Sequence, residues 1–128
     1  HHGGDPDAHE RNWSRLIAAA QAHGCEVLVC SAPDNLAERN WRRRRPQRGQ
    51  WHAVAFAGRS HNQALEAAAR AAGARFLDVA AHMHRFQLAL LQAGRSAYLH
   101  DDIHPNVEGQ AELCRLLIAA VWPQGARV

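Results

Sequence analysis

An α/β fold is the class this 128-residue sequence predicts, on three observations. A helix-forming stretch, a glycine and a short apolar strand follow one another twice along the chain. The strands are continuous apolar runs, as strands of a parallel sheet covered on both faces are. A further amphipathic run closes the sequence after a Pro-Asn start signal. Alternation of this kind builds a parallel sheet flanked by helices, with right-handed crossovers.

Asp7 to His23 opens the pattern, with Trp13, Leu16, Ile17 and Ala20 at helical spacing and Gly24 as a natural terminator. Glu26-Val27-Leu28-Val29-Cys30 is short, apolar and rich in β-branching, and Ser31-Ala32-Pro33 ends it as a buried strand. Ser60 to Ala72 is the second helix, containing Asn62-Gln63-Ala64-Leu65 and stopping at Gly73. Arg75-Phe76-Leu77-Asp78-Val79 then supplies the second strand. The last helix is expected over Val107 to Val121, where Leu113, Leu116, Leu117, Ala120 and Val121 recur on a face that should pack on a core. Asn106 is its N-cap and Pro105 fixes the backbone before it. Gly109, in the first turn, leaves room for another backbone to come close.

Composition bounds the rest to one domain over residues 1–128. Apolar residues make up 47% of the chain, and no uninterrupted apolar stretch is long enough to cross a membrane. Three cysteines without a C-x-x-C argue against a disulfide framework or a zinc site, and Cys30 and Cys114, in apolar runs, read as small core residues. The formal charge is +3, and every basic residue is arginine. Much of the excess lies in residues 39–51, where Arg42 and Arg44 sit between Trp41 and Trp51.

The chemistry concentrates in Leu99-His100-Asp101-Asp102-Ile103-His104-Pro105-Asn106-Val107-Glu108-Gly109. An imidazole serves as general base when an acceptor holds its other ring nitrogen, and a carboxylate in that place fixes both tautomer and orientation. Asp101, three residues before His104, meets that need within one turn. The plain alternative is that the aspartates start a turn and His104 is an ordinary loop histidine.

The D-D-I-H-P-N-x-x-G block ahead of a terminal helix resembles the last sequence block of the SGNH (GDSL-type) hydrolases. Asn62-x-x-Leu65 ahead of A-x-x-x-G-x-x-F-L-D-V is similar to the unit that precedes it. The resemblance implies a three-layer α/β/α, flavodoxin-like fold with a parallel sheet, and hydrolysis of a small-molecule or carbohydrate ester without a cofactor. It gives Asp101 the role of triad acid and His104 that of base.

Departures from the family are equally informative. No Gly-Asp-Ser occurs, and the four serines are Ser14, Ser31, Ser60 and Ser96. Ser31 comes nearest to a strand-end nucleophile, although its neighbours fit a later strand better. The family's oxyanion-hole block aligns with Gly3-Gly4-Asp5-Pro6, which makes Gly3 and Asp5 the candidates for that role. An ionised Asp5 would oppose a developing oxyanion, and losing one donor costs about 3–4 kcal/mol of transition-state stabilisation. Equally, Gly3-Gly4 reads as a flexible lead. The chain opens on His1-His2 without a methionine, and the elements it lacks relative to the family are N-terminal. The expectation is therefore a partial domain whose nucleophile lies in a missing N-terminal segment or a partner chain.

The arginine run follows the first strand, where loops of a parallel sheet border the binding crevice. Arginine interleaved with tryptophan suits an anionic or sugar-bearing substrate through bidentate hydrogen bonds and stacking. It also suits a solvated loop, or a phosphate backbone. A catalytically inactive α/β module that binds a polyanion or nucleic acid through this loop is thus the alternative function. No metal site is expected: His82 and His84, two apart, fall on different faces of a helix, and Pro105 argues for a loop between His100 and His104.

Overall fold

The computed structural model describes residues 5–32, 60–99 and 104–122. Over them the order is α1 (Pro6–Ala22), β1 (Leu28–Cys30), α2 (His61–Ala71), β2 (Arg75–Leu77), α3 (Val79–Gln92) and α4 (Val107–Val121). This is a mixed helix and strand chain with a two-stranded parallel sheet, compatible with the α/β class. Its described residues fall into two compact units, one of 5–31 and 60–77, the other of 32, 78–99 and 104–122.

In the first unit, local chemistry sets every helix end. The Asp5 carboxylate accepts from the Asp7 N–H (3.0 Å), and Pro6 needs no donor partner in the first turn of α1. Ser60 and Gln63 form a reciprocal capping box at α2: Gln63 N–H donates to Ser60 Oγ (3.1 Å) and Ser60 N–H to Gln63 Oε1 (2.7 Å). At the other ends Gly24 and Gly73 turn the chain at φ 80° and 65°, a region that favours glycine, as their sequence positions led one to expect. Cys25 N–H then reaches back to Ala20 O (3.1 Å) and Ala74 N–H to Ala69 O (2.9 Å), so each helix closes into the strand that follows.

The two strands pair in parallel with Leu28 opposite Arg75, Val29 opposite Phe76 and Cys30 opposite Leu77. Both are shorter than their apolar runs suggested. Bonds from Arg75 N–H to Val27 O (3.2 Å) and from Ser31 N–H to Leu77 O (3.1 Å) extend the pairing at each end. Ile17, Val29, Leu65, Ala68 and Ala69 form the core, with Trp13, Val27 and Phe76 partly buried against it. Leu16 is an exception to the expected stripe, since it is 60% exposed. Gln21 ties the two helices by donating from Nε2 to Ala72 O (2.9 Å).

The second unit holds the main correction. Residues after Leu77 do not continue the strand to Val79: Asp78 accepts from the Ala81 N–H (3.0 Å) and starts α3. That helix was not assigned from the sequence, because Leu88 and Leu91 are exposed while Val79, Met83 and Leu90 are buried, which blurs its amphipathic period. It ends at Gly94, and Arg95 N–H returns to Leu90 O (2.8 Å), a third use of the same stop.

The final helix starts as expected at its Asn106 cap, yet its faces differ from expectation. Leu113, Leu116, Leu117 and Ala120 are half-buried, Val121 is exposed, and Cys114 is exposed and not a core residue. Positions 107, 111, 114, 118 and 121 share one side of a 3.6-residue helix, and all five are exposed. Cys30 is partly buried, and burial pushes its thiol pKa up. Among the described residues no helix is long and apolar enough to cross a membrane.

Candidate active-site loop

Residues 96–99 and 104–106 are bonded to one another. Tyr98 and Pro105 form an isolated antiparallel bridge. Leu99 N–H donates to His104 O (2.9 Å), and Asn106 N–H donates to Ala97 O (3.0 Å). His104 is thus bonded back to Leu99, stands two residues before the Asn106 cap of α4, and is exposed to solvent. Residues 100–103 lie outside the described residues, and Asp101, Asp102 and His100 with them.

Asn106 joins three parts of this base. Its Oδ1 accepts from the Gly109 N–H (3.0 Å) as the cap of α4, while its Nδ2 donates to Ser96 O (2.6 Å). Gly109 is buried beneath Ala97, where a Cβ would collide with the Ala97 carbonyl oxygen. The close backbone approach foreseen for this glycine is thus present. On the outside, Gln110 donates from Nε2 to Pro105 O (3.1 Å) and Arg95 pairs with Glu108.

Beneath the loop, Gln87 of α3 is 4% exposed and uses both ends of its amide. Oε1 accepts from the buried Ala97 N–H (2.6 Å) and Nε2 donates to Ser96 Oγ (3.1 Å). Ser96 Oγ also accepts from Tyr98 N–H (3.1 Å) and donates to Tyr98 O (2.9 Å). One donor and two acceptor positions exhaust a hydroxyl, so Ser96 is committed to structure and is no nucleophile. Tyr98 is buried, which pushes its phenol pKa up. Sequence reasoning missed Gln87. The available signal was a polar residue at the position, between Met83 and Leu90 on one helical face, where an apolar one belongs.

The remaining candidates are dispersed. Asp5 caps α1 and lies 4.0 Å from Arg11, an exposed acceptor in that position and not a donor. Gly3, Trp41, Arg42, Arg44 and Trp51 lie outside the described residues. Of the serines, Ser60 caps α2 and Ser31 is buried, 3% exposed, just past the carboxyl end of β1.

A second imidazole–carboxylate pair occurs where none was foreseen. His82 Nε2 lies 2.7 Å from Glu112 Oε1, joining α3 to α4. Glu112 also accepts from Arg115 Nε (2.9 Å) and Nη2 (2.5 Å). Arg115 first, and His82 after it, hold the Glu112 carboxyl at about 2 against the cost of burial. A carboxylate held so firmly in its charged form is a clamp between helices, not an acid for catalysis. His84, on the same helix, has its Nδ1 buried without a partner. Among the described residues no three His, Cys, Asp or Glu side chains come together as a metal site would need.

Comparison with protein-family models, curated proteins and solved structures gave no match.

Proposed function

We propose that this chain is the C-terminal part of a serine ester hydrolase of the SGNH type, with the three-layer α/β/α fold of that family, and that it supplies the base and acid of the catalytic triad. The observation that carries this reading is the conduct of the motif residues. Pro105, Asn106 and Gly109, which the motif places after His104, close the loop base, cap the helix and admit the Ala97 backbone. In the proposed reaction a serine from outside these residues attacks an ester carbonyl. His104 takes its proton and returns it to the leaving alcohol, and Asp101 steadies the imidazolium. Water, deprotonated by the same imidazole, then attacks the acyl-enzyme carbonyl; the bond to the serine oxygen breaks, the carboxylic acid leaves and the proton returns to the serine.

Two further observations support an incomplete domain. Only two strands pair among the described residues, and short parallel pairs need neighbours to be stable. Along α4, Val107 is 84% and Trp122 60% exposed, an apolar side that an upstream segment or partner chain would cover.

The test is the longer reading frame. An upstream apolar strand ending in Gly-Asp-Ser, with p-nitrophenyl acetate turnover abolished by His104→Ala, is the expected result. Full turnover in His104→Ala overturns the reading. Nucleic-acid binding with a steep salt dependence, and no esterase activity in the longer protein, would favour the polyanion-binding module instead.

A further inference from the structure

Helix α3 reaches the His104 loop through one buried side chain. Gln87 lies within the helix, and its amide grips the loop at two successive residues: the Ala97 N–H at 2.6 Å and the Ser96 hydroxyl at 3.1 Å. From these two residues the hydrogen bonds run directly to the far side of the loop. Ala97 O accepts from the Asn106 N–H (3.0 Å) and Ser96 O from Asn106 Nδ2 (2.6 Å). The Ser96 hydroxyl fixes the Tyr98 peptide at both its N–H (3.1 Å) and its carbonyl (2.9 Å), and Tyr98 bridges Pro105. Leu99 and His104 are bonded just beyond.

We propose that Gln87 is a positioning residue for His104: acting through Ser96 and Ala97, it sets the backbone from which the imidazole is presented. The inference rests on the ester-hydrolase reading, since it concerns the base of that reaction. A primary amide suits the task because it offers an acceptor and a donor side by side in one rigid plane. Ala97 is fully buried, so its N–H finds no water to replace Gln87 Oε1. Asn at this position is one methylene too short, and an apolar residue offers neither atom.

The experiment is long-range proton–nitrogen correlation on the labelled chain, read at His104 where its imidazole is neutral. A carboxylate partner stabilises the Nδ1–H tautomer, whereas a free imidazole favours Nε2–H. The wild-type chain is expected to show the Nδ1–H form. Gln87→Met, folded by circular dichroism and with the methyl signals of the buried Val79 and Leu90 of the same unit in place, is expected to lose that form several-fold. Gln87→Glu, which keeps an acceptor for the Ala97 N–H, is expected to retain it. A wild-type chain in the Nε2–H form removes the hydrolase reading itself. Nδ1–H present in the wild type and undiminished in folded Gln87→Met overturns the inference alone. If Gln87→Met does not fold, Ser96→Ala carries the same test, because it breaks the link to Tyr98 while leaving the Gln87–Ala97 bond. Survival of the Nδ1–H form there overturns the inference as well.

Discussion

Gly109 lies directly beneath the carbonyl of Ala97, with no space between them for a Cβ. The obstacle is backbone, already bonded to Asn106, and cannot step aside. Gly109→Ala is expected to destabilise the second unit by about 1–3 kcal/mol, against the small gain alanine normally brings to a helix. Urea unfolding of the variant checks this. A stability equal to or above wild type would show that α4 can move away from Ala97.

Asn106→Ala removes the cap of α4 and the donor to Ser96 O together. A lost cap alone costs about 1 kcal/mol, and the partly buried Ser96 carbonyl left without its donor adds to it. Asn106→Asp keeps an acceptor for Gly109 N–H but cannot donate to Ser96. Thermal unfolding should therefore order the three proteins as wild type, Asp, then Ala.

The His82–Glu112–Arg115 cluster predicts acid sensitivity. Glu112 titrates at about 2 in the folded chain against 4.5 ordinarily, chiefly because of Arg115. A depressed carboxyl contributes stability that is fully present above the unfolded pKa and is lost as pH falls from 4.5 through about 2. Arg115 is largely in solvent, so screening reduces the contribution to about 1–2 kcal/mol. Glu112→Gln should flatten the stability profile in this window. An unchanged acid limb in that variant would contradict the clamp.

His9 acts in the opposite pH range. Burial first, and the neighbouring His61 ring at 4.7 Å second, lower its pKa below the usual 6.5. Its Nε2 also accepts from Trp13 Nε1–H (3.0 Å), which a protonated ring cannot do. The stability tied to neutral His9 is complete above the unfolded value and declines as pH falls below it toward the folded one. His9→Gln, which retains an acceptor for Trp13, is expected to weaken this fall. Calorimetric Tm across the range measures it, and an equal slope in both proteins would refute it.

Much of the first unit was legible in the sequence because its signals are local. Ser60 with Gln63, and Gly24 and Gly73 after their helices, act within a few residues of where they stand. The loop base was legible for the same reason, since Asn106 caps and Gly109 yields space within one turn. Helix α3 escaped because its apolar residues spread around the axis, and only Asp78 marked its start.

By itself, the sequence determined the order of helix and strand except for α3, the ends of α1 and α2, and the placing of His104 ahead of a capped helix. Each of these follows from backbone bonds that a side chain satisfies or leaves open within a single turn. Tertiary structure alone decided that Gln87 is buried under the His104 loop, that Cys114 faces outward, and that His82 meets Glu112 from 30 residues away. Such pairings depend on which helix faces abut once the chain has folded, and no local periodicity encodes the identity of a distant partner.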